Sequence, residues 1–241
     1  MLVPIRRPTS TLLLAALSVS AAVAIFAQTS APHPAFEVLT HRMDVDVDGA
    51  PNAYGPPGRP ALDILMHARY LNRKDQPIVG YLLDDRHRPV VQGANDPFPG
   101  YYVSQTAFTD PSNDDERDPR AYVDARKINY VVLGDYARKR GVQVGDFVAV
   151  YSRRTHKAVF AIVGDTGNPS GDEGSLHLLQ ALGYPFHNGI DDSVTKPEIV
   201  IRFYPSSNPQ QLFFFTQAAL DEAARKLGLS ADFTAAAAHK H

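Results

Sequence analysis

The chain has 241 residues, of which 44% are hydrophobic and 21% are charged, and its formal net charge at pH 7 is −2. This length and composition suit a globular protein with a sizeable core, and the mildly negative charge argues against nucleic acid as a partner. Cysteine is absent, which excludes disulfides, thiolate metal sites and a cysteine nucleophile. The fold must therefore be stabilised by packing without covalent cross-links.

Residues 1–27 have the pattern of a secretory signal peptide. Arg6 and Arg7 form a basic segment, and an apolar run rich in small residues follows over residues 11–27. An uncleaved membrane anchor is the alternative, because the run approaches the roughly 20 apolar residues that span a bilayer. Its serines and many alanines make it only moderately hydrophobic. We expect cleavage and a secreted protein, extracellular or periplasmic, with no membrane association afterwards.

Residues 28–37 are polar and contain proline, which predicts a short linker before a single domain over residues 38–235, and the terminal residues 236–241 predict a disordered tail. Within the domain, segments rich in Val, Ile, Tyr and Phe and bounded by Gly, Pro, Asp or Asn predict strands. They are residues 36–47, 78–83, 101–108, 129–133, 147–151, 158–163 and 198–204. So many short strands predict a mainly β or α+β fold, a single β-rich, barrel-like domain with a few peripheral helices.

Helical spacing of apolar residues predicts three helices. They are residues 61–71, residues 175–182, and a C-terminal helix that ends near Leu227 before Gly228. The start of the last helix has two interpretations. Asn208 and Pro209 suit a cap and a first position, and Thr216 suits a cap after a strand that ends at Phe215.

Residues 43–49 (MDVDVDG) place acids at alternate positions. An EF-hand loop requires a bidentate Glu at its twelfth position, and that position, counted from Asp44, is Gly55. Strand alternation instead puts Asp44, Asp46 and Asp48 on one face and the valines on the core face. This face is either a solvated strand surface or an acidic stripe that faces a substrate.

The nine histidines show no H-E-x-x-H spacing, and Ser175 lacks the glycine two residues before it that a nucleophile elbow needs. Neither a metal centre nor a serine triad is predicted, and no cofactor is expected.

Residues 159–182 (VFAIVGDTGNPSGDEGSLHLLQAL) combine an apolar strand, a Gly-, Pro- and Ser-containing loop, and the start of a helix. Asp165 follows the strand, and Glu173 precedes the helix, which is the layout that a hydrolase with two carboxylates needs. Both residues also have ordinary structural interpretations, since Asp is common in turns and Glu is common near helix N-termini.

Several of these segments resemble the family 75 glycoside hydrolases, secreted endo-chitosanases first described in fungi, and their bacterial relatives. Residues 43–49 are similar to the family's M-D-x-D-x-D-G, residues 101–110 (YYVSQTAFTD) to its T-A-F-x-D, and residues 128–133 to its P-Y-V-V strand. Residues 161–167 (AIVGDTG) and 171–178 (GDEGSLHL) resemble its G-D-T and G-E-x-S-I pair. The chain differs from the fungal members in its shorter loop between the two carboxylates and in lacking tryptophan and cysteine.

The resemblance implies that Asp165 and Glu173 are a catalytic pair that hydrolyses β-1,4 bonds of chitosan with inversion and without a metal. Inversion requires carboxyl groups roughly 6.5–9.5 Å apart, so that a water fits between them and the sugar. A helix dipole would depress the pKa of Glu173 and suit it to be the base, with Asp165 as the acid.

Chitosan is a polycation at mildly acid pH, so carboxylates beyond the pair are expected to bind it. Candidates are Asp44, Asp46, Asp48 and Asp110, with Tyr101, Tyr102 and Tyr54 as faces that stack on sugars. The expected partner is thus an amino-sugar polysaccharide bound by a monomer. The alternatives are a non-catalytic module that binds glycans or cell walls, and a hydrolase of another amino-sugar polymer such as peptidoglycan.

Overall fold

A computed structural model of the chain describes residues 34–233. The predicted signal peptide, residues 28–33 of the predicted linker and the predicted tail at 236–241 lie outside these residues. The first strand begins at Phe36, close to the predicted start of the domain. None of the helices in the described part of the chain is long and apolar enough to cross a bilayer.

Eight strands form one curled, half-barrel sheet. In chain order they are β1 (Phe36–Leu39), β2 (Met43–Asp46), β3 (Tyr130–Val132), β4 (Phe147–Ser152), β5 (Ala158–Asp165), β6 (Glu173–Ser175), β7 (Ser193–Val194) and β8 (Ile199–Phe203). Their order across the sheet is β1-β8-β4-β5-β3-β6-β2-β7. The prediction of a mainly β fold with a few helices is confirmed.

The centre of the sheet consists of β8, β4 and β5, which pair antiparallel. Val, Ile, Phe and Ala dominate these strands, and nearly every residue of β4 and β8 is buried. Such continuous apolar runs are typical of strands covered on both faces. Beyond β5, the strand β3 runs parallel to β5, and β6 runs antiparallel to β3. The end of β5 and the start of β6 therefore lie at the same edge of the sheet.

Residues 34–233 contain three α-helices: α1 (Asp135–Arg138), α2 (Leu176–Ala181) and α3 (Gln217–Lys226). The predictions for α2 and α3 are confirmed, whereas the single turn of α1 was not predicted. Ser175 caps α2 by accepting from the Leu178 N–H, and Thr216 caps α3 by accepting from the Ala219 N–H. Of the two predicted starts for the last helix, Thr216 is therefore the one that the structure adopts.

The predicted helix over residues 61–71 is wrong. This segment forms successive turns that end in a 3-10 turn at Tyr70–Asn72. The Asp63 carboxylate accepts from the Ile64 N–H and contacts the His67 ring, and a side chain that binds its own backbone competes with the helix. The Ala68 carbonyl accepts from Val79 and Gly80, so the segment pairs with a neighbouring loop.

The strand predictions over residues 78–83 and 101–108 are also wrong in part. In place of strands, these segments contain isolated β-bridges, among them the bridge between Tyr81 and Ser104. The predicted strand over residues 36–47 divides into β1 and β2 at a bend around His41.

Gly164 in β5 lies directly under the ring of Tyr130, and we expect alanine there to destabilise the protein. A Cβ at this position would stand 2.6 Å from the Tyr130 Cβ and Cγ. Such overpacking costs about 1–3 kcal/mol. Gly93→Ala is the matched control, because its Cβ would meet only Asp96 Oδ2 at 3.6 Å. Thermal unfolding of both variants checks this, and equal melting temperatures would contradict it.

Candidate active site

A cleft crosses the described residues beside the end of β5. It consists of two arms, with volumes of about 500 and about 480 Å³, that share Asp48, Tyr70, Val79 and Asp165 among their lining residues. We call the first the acidic arm, and the carboxylates that line it alone are Asp44, Asp46, Asp63, Glu173, Asp191 and Asp192. We call the second the mixed arm, and its own lining includes Gln105, Ala107, Leu133, Asp135, Arg138 and Pro169.

Asp165 and Glu173 flank the same residue of β3. Val132 pairs with Asp165 on one side, after a bulge. On the other side the antiparallel register pairs Val131 with Gly174, which brings Glu173 to the level of Val132. Strands that lie two positions apart are separated by roughly 9.6 Å, twice the spacing of neighbours. The two carboxylates thus lie on either side of a single strand, with Asp165 where the two arms meet and Glu173 in the acidic arm.

Each of the two carboxylates accepts a hydrogen bond that fixes its position. Asp165 Oδ1 accepts from the Ala107 N–H at 2.8 Å, and Glu173 Oε1 accepts from Asn168 Nδ2 at 3.0 Å. Asn168 also accepts from the Ser170 N–H and hydroxyl, which closes the loop between the two carboxylates into a turn. Asn168 is a functional candidate that the sequence analysis missed, although Asn in an N-P-S-G segment signals such a turn.

The face that Asp44, Asp46 and Asp48 share, which the sequence left as either a solvated surface or an acidic stripe, lines the cleft. Alternation along β2 buries Met43, Val45 and Val47 and leaves the three aspartates partly accessible. Oxygens of Asp46, Asp48 and Asp165 all lie within 4.8 Å of one another. Three such oxygens match the ligand set that hard cations prefer, and they equally suit carboxyl groups that share protons.

Hydrogen bonds with tyrosine hydroxyls and backbone groups fix the positions of Asp46 and Asp48. Asp48 Oδ1 accepts from the Tyr54 hydroxyl at 2.6 Å, and the Tyr130 hydroxyl donates to the Asp48 carbonyl at 3.0 Å. Asp46 Oδ1 accepts from the Asp48 N–H at 2.8 Å. The prediction that Tyr54 stacks on sugars is wrong, because its ring is 2% exposed and its hydroxyl is occupied by Asp48.

Burial raises the pKa values of the whole cluster. Desolvation, followed by the charge of Asp46, raises the pKa of Glu173 from 4.5 to about 8. Desolvation likewise raises the pKa of Asp46 from 3.8 to about 6. The pKa values of Asp48 and Asp165 are also raised well above their usual range, first by burial and then by neighbouring carboxylates. Glu173 therefore retains its proton near neutral pH, and the four neighbouring groups titrate as one interacting set.

The expectation that a helix dipole depresses the pKa of Glu173 is wrong. Glu173 lies in β6, and α2 begins at Leu176 with Ser175 as its N-cap. Burial in the cleft outweighs any dipole effect at that distance, because the dipole acts within the first turn. The α2 dipole therefore gives no reason for Glu173 to be the base and Asp165 the acid.

Three predicted substrate-binding residues do not line the cleft. The Tyr101 hydroxyl donates to the Pro60 carbonyl, and the Arg59 guanidinium covers its ring at 4.6 Å. Tyr102 is buried against Tyr81, with ring centroids 5.1 Å apart. Asp110 is buried and accepts from the Ser112 N–H and hydroxyl.

Tyr70 is the aromatic residue that lies where the two arms meet. The sequence analysis missed it because it placed the residue in a helix. The 3-10 turn at Tyr70–Asn72 contains two residues with positive φ, Leu71 and Asn72, both at 54°. A tyrosine ring at this position can stack on a sugar.

Comparison of the sequence with protein-family models finds no match. Comparison with curated proteins finds no relative at a significant level. The resemblance to the family 75 glycoside hydrolases therefore stays a prediction from the motifs.

Glu173→Gln is expected to change how stability depends on pH. A carboxyl whose pKa is higher in the folded than in the unfolded state stabilises the fold fully below its unfolded pKa, and this contribution is lost as pH rises toward the folded pKa. For Glu173 that window runs from 4.5 to about 8. Within this window the linkage relation gives at most about 1.4 kcal/mol per pH unit.

Denaturant unfolding of the wild type and Glu173→Gln at pH 5 and pH 8 measures this. The wild type is expected to lose more stability over this range than the variant, which has no proton to lose at position 173. A loss of equal size in both proteins would contradict the burial of an ionisable Glu173.

Proposed function

We propose that the protein is a secreted endo-chitosanase, which hydrolyses β-1,4 bonds of chitosan with inversion through Asp165 and Glu173. The observation that carries the proposal is the position of these two carboxylates on either side of Val132 in a two-armed cleft, with Asp165 lining both arms and Glu173 the acidic arm. A cleft that extends beyond the reacting groups suits cleavage within a polymer. The proposal invokes no cofactor.

The intervening strand gives the pair room for inversion. Strands two positions apart have backbones separated by roughly 9.6 Å, and inversion requires roughly 6.5–9.5 Å between the carboxyl groups. β3 lies between β5 and β6. The gap over Val132 is where the attacking water and the sugar ring would lie.

We assign the acid role to Glu173. Its pKa of about 8 keeps it protonated at the mildly acid pH at which chitosan dissolves. Its proton passes to the glycosidic oxygen as the bond to the anomeric carbon breaks, which neutralises the leaving group. Glu173 is left ionised and regains a proton from solvent.

We assign the base role to Asp165. The Ala107 N–H donates to Oδ1, which favours the ionised form of this carboxyl. Burial is the largest cause that raises its pKa, and protons on Asp46 and Glu173 remove the neighbouring charges that raise it further. Asp165 then takes a proton from water, and the water attacks the anomeric carbon from the face opposite the leaving group. The product is the α-anomer.

The charge of the cleft favours chitosan among amino-sugar polymers. The acidic arm matches a polymer whose amines are protonated, and it repels the carboxylates of the stem peptides of peptidoglycan. A glycan-binding module without catalysis does not need two buried carboxyls with raised pKa values, because such burial costs stability.

Release of reducing ends from highly deacetylated chitosan tests the proposal, with purified wild type, Asp165→Asn and Glu173→Gln in parallel. Release by the wild type that is lost in both folded variants is expected. No release by the folded wild type, with chitosan still bound, would favour a binding module. Release from cell walls and none from chitosan would favour a peptidoglycan hydrolase.

A further inference from the structure

Exposed cations collect at the end of the central strands that is remote from Asp165. Arg153, Arg154 and Lys157 belong to the turn between β4 and β5, and Lys196 shortly precedes β8. All four residues are exposed, and we call them the basic turn. β5 spans eight residues from this turn to Asp165, so the two ends of the strand lie roughly 23 Å apart.

Pairing of β8, β4 and β5 brings the cations of the basic turn together. The Ser152 N–H donates to the Lys157 carbonyl at 3.0 Å, and the Arg153 N–H donates to the Glu198 carbonyl at 2.8 Å. The Glu198 N–H in turn donates to the Lys196 carbonyl at 2.8 Å. Because neighbouring strands lie about 4.8 Å apart, the backbones that carry these three cations cover a row roughly 10 Å long.

Most of the charge of the basic turn is not neutralised by the described residues. Arg154 pairs with Glu198, with 3.2 Å between the nitrogen and the oxygen. Within residues 34–233, Arg153, Lys157 and Lys196 have no carboxylate within 4.0 Å. The whole chain has a formal net charge of −2, so the basic turn has the opposite sign to the protein as a whole. A local positive potential of this kind attracts anions.

The basic turn is held in place by contacts with the segment that follows α2. The Thr155 hydroxyl donates to the Leu182 carbonyl at 2.6 Å. The Arg154 guanidinium lies over the Tyr184 ring, 4.2 Å from its centroid, and the Tyr184 hydroxyl donates to Glu198 Oε1 at 2.7 Å. A ligand that binds here therefore meets an ordered backbone, which lowers the entropy cost of binding.

The chemistry of the basic turn fits a phosphate polymer in solution. Guanidinium and ammonium groups bind phosphate oxygens through charge-assisted hydrogen bonds. A short row of cations matches a chain with a phosphate in every repeat unit, whereas an acidic glycan with one carboxylate per disaccharide presents its charges more sparsely. In the described chain, no large exposed apolar side chain belongs to the turn or to residues 195–198. The turn therefore lacks the apolar anchors that insert into a bilayer.

We propose that the basic turn is a docking surface for a linear phosphate polymer, and that the protein binds this polymer while the cleft at the far end of β5 stays open. The inference goes beyond the proposed chitosanase function and does not depend on it, because binding at the turn requires neither Asp165 nor Glu173.

Binding of the purified protein to fluorescently labelled long-chain polyphosphate, measured by anisotropy without chitosan, tests this inference. Arg153→Gln/Lys157→Gln is expected to weaken binding about tenfold, because each exposed ion pair contributes about threefold. The slope of the logarithm of the binding constant against the logarithm of salt concentration should fall in magnitude by about 1.4, because two phosphate contacts are lost. Thermal unfolding checks that the double variant is folded.

Lys74→Gln/Arg86→Gln is the matched control, because it removes the same charge from exposed residues outside the basic turn. It should bind polyphosphate as the wild type does. Equal losses in the two double variants would assign the binding to overall charge and overturn the inference. Equal binding to hyaluronate, binding to phosphatidylglycerol vesicles without binding to polyphosphate, or no binding to polyphosphate by the folded wild type would also overturn it.

Discussion

Glu173→Gln is expected to lower kcat on chitosan by about 10³-fold, because an amide of the same shape cannot donate a proton to the glycosidic oxygen. The loss should nearly disappear on a glucosamine oligosaccharide with a 2,4-dinitrophenyl leaving group, which departs without protonation. On chitosan, wild-type activity should decline above a pH of about 8, where Glu173 ionises. The variant should show no such decline on the activated substrate. Steady-state rates on both substrates across pH measure these effects.

Glu222→Gln on α3 is the control for this experiment, because Glu222 pairs with the exposed Lys226. Its rates should match those of the wild type on both substrates. If Glu173→Gln loses activity equally on chitosan and on the activated substrate, Glu173 is not the acid. The assignment of the roles would then have to be reversed.

Asp165→Asn is expected to lower turnover on chitosan about 10³-fold or more, because no group remains to take the proton from the attacking water. Azide needs no deprotonation, and it should restore turnover of the activated substrate. The product should be the α-glycosyl azide, since azide attacks from the side on which the water lies in the wild type. Product analysis by NMR identifies it.

Azide should not accelerate Glu173→Gln, which retains its base, and this variant is therefore the matched control for rescue. Formation of a β-glycosyl azide would contradict inversion. An Asp165→Asn variant that keeps near-normal turnover would exclude Asp165 from the chemistry.

The central strands could be predicted from the sequence because packing decides them. β4, β5 and β8 start and end within about two residues of the predicted segments. Their Val-, Ile- and Phe-rich runs leave few alternatives to a buried strand. Alternation also predicted correctly that Asp44, Asp46 and Asp48 share a face.

The segments that form the walls of the cleft could not be predicted in this way. Residues 61–71 have helical spacing of apolar residues, but the Asp63 side chain binds the local backbone and the Ala68 carbonyl pairs with a distant loop. Tyr101 and Tyr102 follow a strand-like pattern, and contacts with Arg59 and Tyr81 hold them away from the cleft. These outcomes depend on tertiary contacts that spacing does not encode.

The candidate pair was identified in the sequence, but its electrostatics were not. The motifs selected Asp165 and Glu173, yet nothing in them shows that β3 lies between the two or that Asp46 lies beside them. Burial of Glu173 among other carboxyls raises its pKa, whereas the local sequence suggested a lowered pKa from the α2 dipole. The proposed acid and base roles rest on the three-dimensional cluster.

NMR of the first products that the wild type releases from glucosamine oligosaccharides, recorded before mutarotation, tests inversion by this pair. We expect the α-anomer to form first and neither Asp165→Asn nor Glu173→Gln to produce it. Release of the β-anomer, or no hydrolysis by folded protein, would contradict the claim that these two carboxylates form an inverting pair across β3.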